Sequence, residues 1–266
     1  MDTTEIIQLT QKLTPISLDE ISAVKLQKRI DIKYVVPTSL LPEILDKITD
    51  SYQVLEVDGK RYNRYKTIYY DTLDFRFFKD HHNKLERRIK VRKRTYLESD
   101  LHFFEIKRKK NDRTNKYREN LENVNMSLTP EQGQKAKKYY GKFNSHAPSD
   151  LDETLITSLI NTYTRVTLVN RNMTERCTID FNLEFIDPNN EQITKGIGEL
   201  VIIEVKRDRL TATDGISTVF RDLNIRPQSF SKYINGMIQM HPTIKHNNFK
   251  PMLLYIEKML TRQKAI

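Results

Sequence analysis

Between Arg88 and Tyr96 the chain reads Arg-Ile-Lys-Val-Arg-Lys-Arg-Thr-Tyr. A helix suits this stretch poorly, because its basic residues would circle the axis instead of forming a stripe. As a strand it sends Arg88, Lys90, Arg92, Arg94 and Tyr96 to one face and Ile89, Val91, Lys93 and Thr95 to the other. A single basic ladder is also how an exposed edge strand guards against aggregation. Here the pattern recurs. Arg29 to Val36 places Arg29, Asp31, Lys33 and Val35 opposite Ile30, Ile32, Tyr34 and Val36, and Leu101 to Lys109 aligns Phe103, Glu105, Lys107 and Lys109. Tyr163, Arg165 and Thr167 share a face, as do Arg176, Thr178, Asp180, Asn182 and Glu184. The most hydrophobic run, Glu199 to Lys206, carries Glu204 and Lys206 on the face of Leu200 and Ile202. Charges in so apolar a strand are costly unless compensated.

Strands that are charged on one side and apolar on the other need two different surroundings. Amphipathic helices can cover the apolar side. The charged side is accommodated if the sheet closes on itself, so the expected fold is α+β: a closed antiparallel β-barrel with a charged interior and helices packed outside. With 45 Lys plus Arg against 35 Asp plus Glu, the 266-residue chain has a formal charge of +10. That balance asks for a polyanionic partner, whether nucleic acid, anionic membrane or a phosphate-rich small molecule. The one cysteine, Cys177, excludes an internal disulfide and reads as a buried structural thiol. No stretch approaches the ~20 apolar residues of a spanning helix, and no leader pattern opens the chain, so a cytoplasmic setting is expected.

Other segments read as packaging. Residues 1 to about 27 suggest short helical pieces; Thr38 can cap a helix carrying Leu41, Ile44, Leu45 and Ile48; Asp58-Gly59 marks a hairpin turn. Lys110 to Asn120 is polar and reads as a loop, Thr129-Pro130 starts a lysine-rich helix, and Gly141 to Ser149 reads as a linker. Leu151, Leu155 and Leu159 suggest a helix over 150–160, and further helices are expected over 213–224, 229–240 and 251–262. The carboxylates Asp31, Glu105, Asp180, Glu184 and Glu204 interrupt an otherwise basic interior. Hard divalent cations take oxygen ligands, which makes Glu204 a candidate metal ligand; the alternative is that it pairs with Lys206 or a facing arginine.

Eight segments in order resemble the polyphosphate polymerase domain of vacuolar transporter chaperone (VTC) proteins, within the CYTH or triphosphate tunnel metalloenzyme group. They are Arg29-Ile-Asp-Ile-Lys33-Tyr34, Tyr70-Asp71-Thr72, Lys90 to Tyr96, Phe104 to Lys109, Tyr163-Thr-Arg165, Arg176 to Asp180, Leu200 to Lys206 and Ser229 to Tyr233. The resemblance spans about residues 25 to 240 of what would be one tunnel domain over 1–266, with a short N-terminal helical segment and a C-terminal helix as flanks.

It implies a tunnel enzyme that moves the terminal phosphate of ATP onto a growing polyphosphate chain, releases ADP and uses a divalent metal, Mn2+ or Mg2+. Carried over by position, Lys33, Arg92, Arg94, Lys107, Arg165, Arg176 and Lys232 would act on the phosphates. Tyr163, Lys90, Lys206, Ser231 and Arg29 would bind substrate, and Glu204 would hold the metal. The wider group's Glu-x-Glu-x-Lys is here Arg29-x-Asp31-x-Lys33. The implied partners are ATP and polyphosphate, with no specific nucleic acid and no membrane span. A triphosphatase of the same fold and a non-catalytic module binding polyphosphate or nucleic acid are the alternative readings.

Overall fold

The computed structural model describes residues 2–22, 29–110, 113–142, 149–208 and 215–263. Short elements open the chain: α1 (Thr3–Leu9), β1 (Thr14–Ile16) and α2 (Leu18–Ser22). Then come β2 (Arg29–Pro37), α3 (Leu41–Ile48), β3 (Tyr52–Leu55), β4 (Asn63–Thr72), α4 (Arg76–His82), β5 (Arg87–Tyr96), β6 (Leu101–Lys110), β7 (Arg113–Leu121) and α5 (Pro130–Gly141). The second half holds β8 (Leu155–Asn170), β9 (Glu175–Asp187), β10 (Asn190–Gly196), β11 (Leu200–Asp208), α6 (Ile216–Asp222), α7 (Lys232–Met240) and α8 (Lys250–Gln263).

The strands join one sheet whose main path runs β2-β11-β9-β8-β4-β5-β6-β7, every neighbour antiparallel. β10 pairs with β9, and β3 bridges β8 to β1. The sheet is strongly curled. Lys90 on β5 and Lys107 on β6 lie within electrostatic reach of Lys33 on β2, and Lys107 also of Glu204 on β11, although four or five strands separate these pairs along the path. The expected barrel does not close: among the described residues no ladder joins β7 to β2. A charged face needs water or counter-charges, and a curled trough supplies both without a sealed seam. On β7, the Lys116 and Arg118 side chains remain 42% and 37% exposed.

The apolar faces are covered as their pattern requires. On the convex side, Leu41, Ile44, Leu45 and Ile48 of α3 and Ile216 and Phe220 of α6 pack against Val166, Leu168, Cys177, Ile179, Phe181 and Val205. Farther along, Ala136 and Tyr140 of α5 cover Ile89, Val91, Phe104 and Ile106. The helix α7 departs from the expectation that all pack outside. Tyr233, Ile234 and Met237 of α7 lie with Val35, Tyr69, Leu159 and Ile202, residues whose register places them on the concave side. α7 therefore fills one end of the trough.

Other expectations change for identifiable reasons. Residues 113–121 form strand β7 and not a loop, because Tyr117 is one sufficient anchor, its ring 5.4 Å from that of Tyr139, while Lys116 and Arg118 face the trough. Leu155 and Leu159 belong to β8, not to a helix; a bulge in the β4–β8 ladder between them turns Leu159 to the cluster under α7 and Leu155 to the cluster under α5. Thr38 does not cap α3, since its Oγ1 donates to the Glu199 carbonyl at 3.0 Å. Asp58 and Gly59 turn with φ of 49° and 71°, as a tight hairpin needs. Most of the expected linker, residues 143–148, lies outside the described residues.

The seat of α7 is tight. A Cβ on Gly236 would stand 2.4 Å from Leu159 Cδ2 and 2.7 Å from Phe185 Cδ1, both side chains fully buried. Gly236→Ala is expected to destabilise the protein by about 1–3 kcal/mol, the range for overpacking a close-packed core. Urea unfolding monitored by tyrosine fluorescence would measure it, and an unchanged midpoint would contradict this packing.

Candidate anion-binding site

Register assembles the charged surface. In an antiparallel ladder directly opposed residues share a face, so pairing of Arg92 with Glu105 and of Glu105 with Arg118 puts all three in the trough. Lys90, Lys107 and Lys116 follow in the next row. From the other half, pairing of Lys33 with Glu204, of Arg165 with Asp180 and of Lys206 with Arg176 adds β2, β11, β9 and β8.

Three carboxylates organise these cations. Glu105, fully buried, receives Arg92 Nη2 at 2.6 Å and Nε at 2.7 Å, Lys116 Nζ at 2.5 Å and Arg118 Nε at 3.1 Å, with Arg94 at 3.9 Å. Burial alone would raise its carboxyl, but Arg92, Arg94 and Lys116 hold it well below the usual range. Asp180 takes a two-pronged contact from Arg165, Nε at 2.5 Å and Nη2 at 2.8 Å, and a third from Lys232 Nζ. Glu204 accepts Lys33 Nζ at 2.8 Å on one oxygen and Lys206 Nζ on the other.

The first turn of α7 meets this network. Ser231 caps the helix, its Oγ accepting the Ile234 N–H at 3.3 Å and the Lys90 ammonium at 2.8 Å. Lys232 Nζ lies 4.3 Å from the centre of the Tyr163 ring, which stacks on Tyr65 at 4.9 Å. The turn is fixed from behind by Asp71, which accepts the N–H groups of Thr72 at 2.8 Å, Phe77 at 2.8 Å and Phe78 at 2.9 Å, and the Tyr233 hydroxyl. Burial pushes the Asp71 carboxyl up to about 6 against the pull of these donors.

Of the residues expected from the sequence, Lys33, Lys90, Arg92, Arg94, Lys107, Tyr163, Arg165, Lys206, Ser231, Lys232 and Glu204 are gathered here. Arg176 stands on the same face beside Lys206. Arg29 opens β2, and its side chain lies outside the described residues. The loop reading of 110–120 hid Lys116 and Arg118; the alternation Thr114, Lys116, Arg118 was their signal. His81 on α4 was also missed; its imidazole is driven well below its ordinary range by burial and by Lys90, Arg88, Lys109 and Lys107. Nothing in its sequence neighbourhood foretold that placement.

A divalent metal finds little here in the protein alone. Both Glu204 oxygens are engaged by lysines, and among the described residues no three His, Cys, Asp or Glu side chains gather into a cage. A cation held here would take Glu204 as one ligand in place of a lysine contact, and phosphate oxygens and water for the rest, the usual manner of Mg2+.

The chain belongs to the VTC domain family: the family model matches residues 28–241. No curated protein sequence matches it. Among solved structures, it is similar to a candidate adenylate cyclase from Vibrio parahaemolyticus (12% identity, 79% of this chain and 99% of that one, TM-score 0.43). It is also similar to one from Bacillus halodurans (12%, 81% and 99%, 0.46). A third is a candidate adenylyl cyclase from Hippeastrum with a dominant triphosphatase activity (12%, 78% and 94%, 0.46). At these scores the likeness bears on neither substrate nor reaction. No helix among the described residues is long and apolar enough to cross a membrane.

Two outcomes test the electrostatics. Arg165 and Lys232 outweigh burial and hold Asp180 near 2 against an ordinary 3.8. A depressed carboxyl contributes stability that is full above its unfolded pKa and is lost as pH falls through the folded one. Roughly 2 kcal/mol is therefore expected to vanish between about pH 4 and pH 2, and Asp180→Asn to lack that step in acid titrations of urea stability. Lys107 is pushed down to about 8 by burial and by Lys33 and Arg92, against the favourable pull of Glu204. A polyanion reverses that field, so tripolyphosphate binding at about pH 8.5 should take up protons. Calorimetry in buffers of different ionisation enthalpy would detect it; a buffer-independent heat would contradict it.

Proposed function

We propose that this protein is a phosphotransferase that lengthens polyphosphate at the expense of ATP. The observation that carries the reading is the convergence of Lys33, Lys90, Arg92, Arg94, Lys107, Arg165 and Lys232 on one trough, with membership of the VTC family in support. Cations this dense repel one another unless a polyanion or carboxylates stand among them. The carboxylates here are fewer than the cations, which leaves charge for phosphate oxygens.

In the transfer, an oxygen of the terminal phosphate of the chain attacks the γ-phosphorus of ATP. The bond to the β–γ bridging oxygen breaks, ADP departs with that oxygen, and the chain gains one unit. Little covalent chemistry falls to the protein; alignment and charge stabilisation are the main terms. Arg92, Arg94 and Arg165 are pre-aimed because Glu105 and Asp180 hold them before substrate arrives. Lys33 and Lys206 are held the same way by Glu204. Ser231 and Lys232 grip a phosphate at the start of α7, where N–H groups and the helix dipole favour anions. A divalent cation shared by Glu204 and phosphate would add neutralisation of charge on the transferring group.

The test is incubation of the purified protein with ATP and Mn2+ or Mg2+, polyacrylamide separation with a polyphosphate stain, and assays of ADP and free phosphate. Long chains with stoichiometric ADP are expected, lowered at least 100-fold in Arg165→Ala, the scale for loss of one charge-stabilising donor. Free phosphate without chains would make the protein a triphosphatase, and tight polyphosphate binding without either product would make it a binding module.

A further inference from the structure

The two ends of the trough differ chemically. Toward Arg88 and Lys109 the face is lysine and arginine, with His81 near them. At the opposite end of β5 the same face turns aromatic. Tyr96 lies beside Tyr65 with ring centres 4.6 Å apart, and Phe103 lies edge-on to Tyr96 at 5.4 Å. Arg118 lays its guanidinium over the Phe103 ring at 3.7 Å and donates from Nη2 to the Tyr96 hydroxyl at 2.7 Å. Its side chain is about one-third exposed, and the Phe103 ring backs its guanidinium. Leu97 and Leu101 stand exposed at the same strand ends.

An inorganic phosphate chain has no apolar surface and gains nothing from such a rim. A nucleobase does: unstacked bases are held on aromatic rings and on arginine planes. We propose that the Tyr96, Phe103 and Arg118 cluster is the seat of the nucleobase of the donor nucleotide, an assignment that rests on the phosphotransferase reading above. The geometry also sets a direction. From Tyr96 to Arg92 the strand advances roughly 13 Å, enough to lead a nucleoside and its first phosphates past Arg94 and Arg92. The terminal phosphate then meets Lys90 and Lys107.

Binding of ATP and of inorganic tripolyphosphate to the full chain, by calorimetry, separates base from phosphate. Phe103→Leu removes the ring behind Arg118 without altering charge. It is expected to weaken ATP about tenfold, within the range for losing one stacking partner, and to leave tripolyphosphate unchanged. Arg118→Gln also removes a Glu105 contact, so it should weaken both ligands and ATP by the larger factor. Equal loss of both ligands in each variant, or no change in the ATP-to-tripolyphosphate ratio, overturns the base seat while leaving the phosphate site standing. Failure of the wild-type protein to bind either ligand overturns the phosphotransferase reading and the base seat with it. Should Phe103→Leu fail to fold, the ratio in Arg118→Gln decides alone.

Discussion

Electrostatic compensation across the concave face is the constraint on which the structure depends. Arginines and lysines from seven strands and one helix are gathered on one concave face, an arrangement that Coulomb repulsion would open. Glu105, Asp180 and Glu204 prevent this, each by holding cations from neighbouring strands or helices. Because a buried carboxylate is tolerated only when paired, the dependence is mutual. The cations keep the acids charged, and the acids keep the cations in place.

This compensation fixes rotamers that free lysines and arginines would otherwise sample. A phosphate arriving in the trough meets donors already oriented, so little of its binding energy is spent on ordering them. Partial compensation matters equally. Lys107 and Lys90 sit in a surplus of positive charge that burial amplifies, and both ammonium groups are pushed down from their ordinary range. The empty site is thus electrostatically stressed, and a polyanion relieves it.

Much of this was legible in the chain because strand alternation is a strong signal. The face of Arg92 and Arg94 and the apolar backs at Ile89 and Val91 follow from a period of two; the same period sets Glu204 and Lys206 on one face, although their pairing was the alternative to a metal role for Glu204. Family resemblance located Ser231 and Lys232 before any helix was seen to carry them. Closure of the sheet was not legible, since alternation fixes which side a residue faces and says nothing of whether the two outermost strands meet. Nor was the role of Glu105 as the hub of four cations, because Arg118 comes from a strand whose polarity resembled a loop. Leu155 and Leu159 misled because their spacing fits a helical stripe, while in β8 a bulge between them turns them to opposite faces, which no periodicity announces.

Asp71 gives one end of the trough a mechanical character. Its carboxylate accepts the first N–H groups of α4 and the hydroxyl of Tyr233 in α7, so the helix bearing His81 and the helix bearing Lys232 share one anchor. Neither helix can swing away from the other without stripping a buried anion of its donors. The α7 end of the trough consequently behaves as a rigid jaw.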